Sequence, residues 1–190
     1  TMIDESGNIY DTGPIGDVVQ SIEVYQDKLI VIINNSHLIK IFNITSEGLE
    51  MPGIEVSTNG SSPREMVVKN NKVYFTNWNS QDIKVLNLLN YNIEASIPVE
   101  GLPEDIIIDD NEYLWVTIYL NTDYSPGSKV VKLNISSNEI TDIVEVGLGP
   151  IELVELNSDI YISRIFYDNN WQAQFGATKI GSEVVINNYG

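Results

Sequence analysis

Pro63-Arg64-Glu65-Met66-Val67-Val68 recurs as Pro103-Glu104-Asp105-Ile106-Ile107-Ile108 and again as Pro150-Ile151-Glu152-Leu153-Val154-Glu155. Val19-Gln20-Ser21-Ile22-Glu23-Val24 has the same form with the proline replaced. The starts at 19, 63, 103 and 150 are separated by 44, 40 and 47 residues, and four such units fill nearly the whole chain. A period in this range marks a repeat architecture, in which each unit is one supersecondary element that buries its apolar face only against its neighbours.

Working outward, each unit reads as four short strands divided by turn residues. The quoted segment is the first and ends in a polar turn such as Lys69-Asn70-Asn71-Lys72 or Asp109-Asp110-Asn111-Glu112. The second is rich in β-branched and aromatic residues: Leu29 to Ile33, Val73 to Asn77, Leu114 to Tyr119, Ile160 to Tyr167. The third reads Lys40-Ile41-Phe42-Asn43-Ile44, Lys84-Val85-Leu86-Asn87-Leu88 and Val131-Lys132-Leu133-Asn134-Ile135. The fourth runs into glycine, as Ile97-Pro98-Val99-Glu100-Gly101 and Val144-Glu145-Val146-Gly147.

No window carries a sustained helical period. Four strands per forty-odd residues predict an all-β chain, a β-propeller arc or ring of four four-stranded antiparallel blades. A solenoid uses fewer strands per repeat, and a sandwich does not repeat. The repeats are expected at about 14–60, 61–101, 102–148 and 149–190 of one domain, with 1–13 as the last strand of an otherwise absent blade. An open arc leaves two exposed sheet edges, which invite pairing. The expectation is therefore part of a longer propeller, or an arc that dimerises into an eight-bladed ring.

Composition narrows the function. The chain has 190 residues and a formal net charge of −17. That balance excludes nucleic acid, whose binding needs clustered Lys and Arg, and equally an anionic membrane surface. No apolar run approaches the length of a membrane-spanning helix. There is no cysteine and a single histidine, so a Cys–His dyad and a three-His zinc site are excluded. Lack of cysteine fits an exported protein.

Val73-Tyr74-Phe75-Thr76-Asn77, with partial copies at Leu114-Trp115-Val116-Thr117 and Ile160-Tyr161-Ile162-Ser163, resembles the second strand of the YVTN-repeat propellers. The likeness covers about residues 15–190, with Asn43, Asn87 and Asn134 where the family closes its third strand with Asp. Gly16-Asp17-Val18-Val19-Gln20-Ser21, Asn34-Asn35-Ser36-His37 and Ser62-Pro63-Arg64 look like the opening blades of a bacterial surface propeller group. That group includes lipoproteins that capture cobalamin beside TonB-dependent transporters; its members have about seven blades and are not enzymes. The resemblance implies an exported, periplasmic or cell-surface binding protein, with a corrinoid as the most specific ligand candidate.

Because strands one and two are antiparallel, the inter-blade connections and the loops between strands two and three share one face. That face collects Trp78, Tyr119, Tyr124, Tyr167, Trp171, His37 and Arg64. Rings beside amides and carboxylates suit a polar organic ligand, and they equally suit packing between neighbouring blades. The ligand-binding set expected here is Asp17, Gln20, His37, Arg64, Trp78, Glu104, Tyr119, Tyr124 and Trp171. Its aromatics would stack, Arg64 and His37 would meet acidic or amide groups, and Asp17, Gln20 and Glu104 would hydrogen-bond. Along the axis Ser21, Glu65, Asp105 and Glu152 stand at matching positions, either around a Ca²⁺ or as a solvated acidic rim.

Catalytic motifs are missing: there is no Gly-x-Ser-x-Gly elbow, His-Glu-x-x-His helix or Gly-rich phosphate loop. A Ser–His–Asp site from Ser36 or Ser62, His37 and Asp17 shares the face, but nothing in the spacing sets its geometry. The expected function is thus non-catalytic binding of a small-molecule or protein ligand, with no resident cofactor, no metal, no nucleic acid and no membrane insertion. The alternatives are a protein–protein scaffold and a propeller-type hydrolase or lyase.

Overall fold

The computed structural model describes residues 2–3, 6–11, 13–181 and 185–189, and all regular structure in them is β-strand. A hairpin of β1 (Met2–Ile3) and β2 (Ile9–Tyr10) precedes four sheets. Blade one holds β3 (Val19–Tyr25), β4 (Lys28–Ile33), β5 (Leu38–Thr45), the short β6 (Gly48–Leu49) and β7 (Ile54–Ser57). Blade two holds β8 (Pro63–Lys69), β9 (Lys72–Asn77), β10 (Asp82–Asn87) and β11 (Ile93–Pro98). Blade three holds β12 (Leu102–Ile108), β13 (Tyr113–Leu120), β14 (Pro126–Asn134) and β15 (Glu139–Glu145). Blade four holds β16 (Pro150–Leu156), β17 (Asp159–Tyr167), β18 (Ala173–Ile180) and β19 (Val185–Tyr189).

Blades two to four are antiparallel meanders in chain order, and in blade one both the short β6 and the outer β7 pair antiparallel with β5. The first strands line up against one another, β3 on β8, β8 on β12 and β12 on β16. This is a propeller arc whose innermost strands face the axis. The tight turns behind them carry residues that tolerate a left-handed backbone: Asn70 and Asn71 at φ +51° and +59°, Asn157 and Ser158 at +54° and +64°. Two consecutive positive φ values are what a twisted two-residue hairpin requires.

The core lies in the seams between blades. Ile30, Ile32, Ile39 and Ile41 of blade one meet Met66, Val73, Phe75 and Leu86 of blade two. Tyr74, Ile83 and Val85 meet Ile106, Leu114 and Val116 of blade three. Trp115 and Val130 meet Leu153, Ile160 and Ile162 of blade four. Strand alternation makes this possible, since each strand sends successive side chains to opposite faces, and blades two and three are buried on both. Threonines tie the same seams: the Thr76 hydroxyl donates to the Glu104 carbonyl at 2.6 Å, and the Thr117 hydroxyl to the Ile151 carbonyl at 3.2 Å.

Three boundaries differ from the sequence reading. Blade two's outer strand stops at Pro98 because the Val99 N–H turns to the Gln81 carbonyl and buries Val99 in the seam. Blade three's stops at Glu145, where the Val146 N–H turns to the Ser128 carbonyl in the same way. At the N-terminus the described part of 1–13 is a hairpin in place of a single last strand, with Gly7 (φ +81°) in its reversal. Thr1, Asp4, Glu5 and Thr12 of that segment, and residues 182–184 and 190 of the last repeat, lie outside the described residues.

Candidate functional site

The four loops between second and third strands share one turn. In each, the fourth residue's N–H returns to the first residue's carbonyl: His37 to Asn34, Gln81 to Trp78, Tyr124 to Asn121, Trp171 to Asp168. Those fourth residues all have positive φ, +52°, +52°, +65° and +58° in turn. A left-handed position suits Gly or Asn, and a bulky side chain there costs about 1–3 kcal/mol. Tyr124 and Trp171 occupy it nonetheless. Tyr119 belongs to β13, so residues 121–125 form the third blade's loop.

On blades one to three the polar members of the expected set engage one another. Arg64 donates through Nε and Nη2 to the two oxygens of Glu104, at 3.0 and 2.6 Å, and through Nη1 to the Gln20 amide oxygen at 3.1 Å. Gln20 Nε2 in turn donates to Glu65 at 3.2 Å. Gln20 of blade one, Arg64 and Glu65 of blade two and Glu104 of blade three thus form a single network, and Glu104 is buried in it. The Arg64 guanidinium also lies 4.5 Å from the centre of the Trp78 ring. His37 Nδ1 accepts the Ser62 backbone N–H at 3.0 Å, which makes it an acceptor bridging blades one and two. Asp17 sits at the exposed rim, its N–H on the Ser36 hydroxyl and its carboxylate on the Asn35 amide.

Between blades three and four the aromatic members stand apart. A cleft of about 390 Å³ is lined by Tyr119, Tyr124, Phe166, Tyr167 and Trp171, with Leu120, Pro126, Ile165, Asp168 and Asn169. Trp171 is 82% exposed, Tyr124 71% and Tyr167 54%. Trp78 bridges the two regions: its ring stacks on Tyr119 with centroids 6.5 Å apart, and its buried indole N–H has no acceptor among the described residues. Burial, and then the nearby Glu104 charge, push the Tyr119 hydroxyl above its ordinary pKa, so it stays a neutral donor. Asp168 stiffens the outer loop, accepting from the Asn170 and Gln172 backbone and from the Gln174 amide; these bonds hold its carboxyl below the usual range.

The axial carboxylates form a second, polar cavity of about 290 Å³ with Gln20 and Glu104. Asp105 turns from the axis to the protein: its oxygens accept the Leu153 N–H of the next blade at 2.6 Å and the Ile106 N–H at 2.8 Å. Burial, reinforced by Glu65 and Glu152, pushes its pKa up to about 6 against those two bonds. No group of three or more carboxylate or imidazole ligands among the described residues is arranged to hold a metal ion.

The nine expected residues therefore fall into two groups. Gln20, Arg64 and Glu104 form the closed network, with His37 and Asp17 beside it in separate bonds. Tyr119, Tyr124 and Trp171 share the open cleft, and Trp78 joins the sides. Phe166 and Tyr167 were not in the set. Their signal was local: an aromatic pair five and four residues ahead of Trp171 brackets a tight turn with it, which folds both ends onto one rim.

No protein-family model matches the sequence, and no curated protein matches it either. Solved structures share the fold. A Bacteroides caccae protein of unknown function is similar at TM-score 0.68 and 16% identity, over 93% of this chain and 69% of that one. The computationally designed Ika8 protein gives TM-score 0.61 at 9% identity, over 83% of this chain and 45% of that one. The WD40 domain of Neurospora crassa Pan2 gives 0.65 at 11% identity, over 90% and 51%. Likeness at these identities establishes the propeller fold and no activity.

Proposed function

We propose that this chain is a non-catalytic binding protein whose ligand enters the aromatic cleft between blades three and four. The carrying observation is the exposure of Trp171, Tyr124 and Tyr167 around one cavity, two of them on strained left-handed positions. Exposed aromatic area with few polar groups around it favours stacking against a flat, partly polar molecule. The His37 geometry speaks against the hydrolase alternative: its Nδ1 takes a backbone N–H, while the Ser62 hydroxyl accepts from the Asn34 amide at 3.2 Å. These two bonds are not the Ser–His bond that such a nucleophile would need.

The resemblance to YVTN-repeat surface propellers makes a corrinoid the first ligand to try and export the matching location. A corrinoid exceeds what the cleft encloses, so it would lie across the mouth with one edge between Tyr124 and Trp171. The test is a calorimetric titration of cyanocobalamin into the protein, repeated with Trp171→Ala. Saturable binding, weakened by the substitution, supports the reading. Binding that ignores Trp171→Ala moves the site elsewhere, and absence of binding removes the corrinoid.

A further inference from the structure

The aromatic cleft carries charge of one sign. Tyr119, Tyr124, Phe166, Tyr167 and Trp171 give it five rings, and Asp168 and Asn169 add a carboxylate and an amide. Among the lining residues Asp168 is the one that carries a full charge, and none is Lys or Arg. The Gln172 and Asn170 N–H groups and the Gln174 amide donate to Asp168 and hold it ionised. On the other loop Asp123 precedes Tyr124 and accepts the Ser125 hydroxyl at 2.6 Å and the Ser125 N–H at 3.0 Å. These bonds hold its carboxyl, too, below the usual range. The Arg64 guanidinium is committed to Glu104 and does not line the cleft.

We infer that the ligand of this cleft is an organic cation, an alkylated or quaternary ammonium carried on an apolar frame. The inference rests on the cleft being the binding site and assigns the chemistry of what enters it. An aromatic ring presents negative potential on its face, so a cation placed among several rings is attracted by each. Asp123 and Asp168 add charge attraction from both loops, and the formal net charge of −17 acts in the same direction. Three donors already occupy Asp168, so it offers charge more than free acceptors. That favours an alkylated head over a bare ammonium, whose three N–H groups need acceptors. A phosphate or carboxylate ligand would meet the same field with no Lys or Arg on the wall to answer it. A neutral sugar would find rings and hydroxyls but gain nothing from the two aspartates. At about 390 Å³ the cleft is larger than an ammonium head alone, which leaves room for the frame.

The test titrates choline into the chain beside its uncharged isostere, in which carbon replaces the nitrogen, following heat and tryptophan emission together. Choline should bind about tenfold tighter than the isostere, weaken about tenfold in Trp171→Ala, and weaken as salt is raised. Asp123→Asn keeps an oxygen for Ser125 on an exposed loop, so circular dichroism should show it folded; it should weaken choline several-fold and leave the isostere unchanged. Equal binding of the two probes would overturn the cation and keep the cleft as an apolar site. Failure of both probes while cyanocobalamin binds in a Trp171-dependent way would also overturn the cation alone. Choline binding indifferent to Trp171→Ala would overturn the inference by moving the cation elsewhere. Absence of binding by all three molecules would remove the inference and leave the cleft reading unsupported as well.

Discussion

The loop face carries two regions that start from the same repeat and end in opposite states. On blades one to three, Gln20, Arg64 and Glu104 come from successive first strands and meet across the seams, so donors and acceptors are matched inside the protein. On blades three and four, Tyr124 and Trp171 stand on loop positions that turn away from the seam, and their rings meet no such partner network. The lesson is that first-strand polar residues serve the ring itself, whereas the loop-tip residues are free to serve something outside it.

The largest expected effect comes from breaking the closed side. Arg64→Ala leaves Glu104 buried without its cation and should cost about 3–5 kcal/mol in urea unfolding, with little change in affinity of the remaining folded protein for a cleft ligand. Loss of binding without loss of stability would instead put Arg64 in the site. On the open side, Trp171→Ala should lower ligand affinity by about 1–3 kcal/mol in calorimetry while leaving the unfolding midpoint in place. The reverse pattern would make Trp171 a packing residue.

Asp105 sharpens the comparison by pH. Its folded pKa of about 6 exceeds the ordinary carboxyl value, so the folded state prefers the proton. Its contribution is most favourable below pH 4 and is lost as pH rises through 6. Asp105→Asn should therefore gain about 1–3 kcal/mol at pH 8 relative to wild type, less what the lost acceptor costs, and nothing comparable at pH 4. A pH-independent difference would mean that the carboxylate is relieved by solvent. The smallest effects concern backbone and bridge. Trp171→Gly relieves a left-handed φ and should raise stability by about 0.5–1 kcal/mol while weakening ligand binding. His37→Ala should cost about 1 kcal/mol through the lost acceptor for Ser62 N–H, with no effect on the cleft.

Much of the architecture was legible because strands and turns are local. The alternation in Val73 to Asn77 and the Asn70-Asn71 turn need only neighbouring residues to declare themselves, and their recurrence at 40–47 residues then implied blades. The shared face followed from antiparallel geometry alone, and it did bring Tyr119, Tyr124 and Trp171 together. Strand ends were less legible, as Val99 and Val146 show, because both turn into seams formed with residues far along the chain.

What the sequence determined by itself is the repeat, the all-β class and the face on which the chemistry-bearing residues gather, since each depends on short-range periodicity. Only the tertiary structure decided that Arg64 answers Glu104 forty residues away and is engaged, while Trp171 is left open. Only it decided that Ile22 and Val154, core residues by every local measure, face outward at the ends of an arc. The physical reason is the same in each case: pattern sets which way a side chain points, but what stands opposite it depends on how the blades pack around the axis.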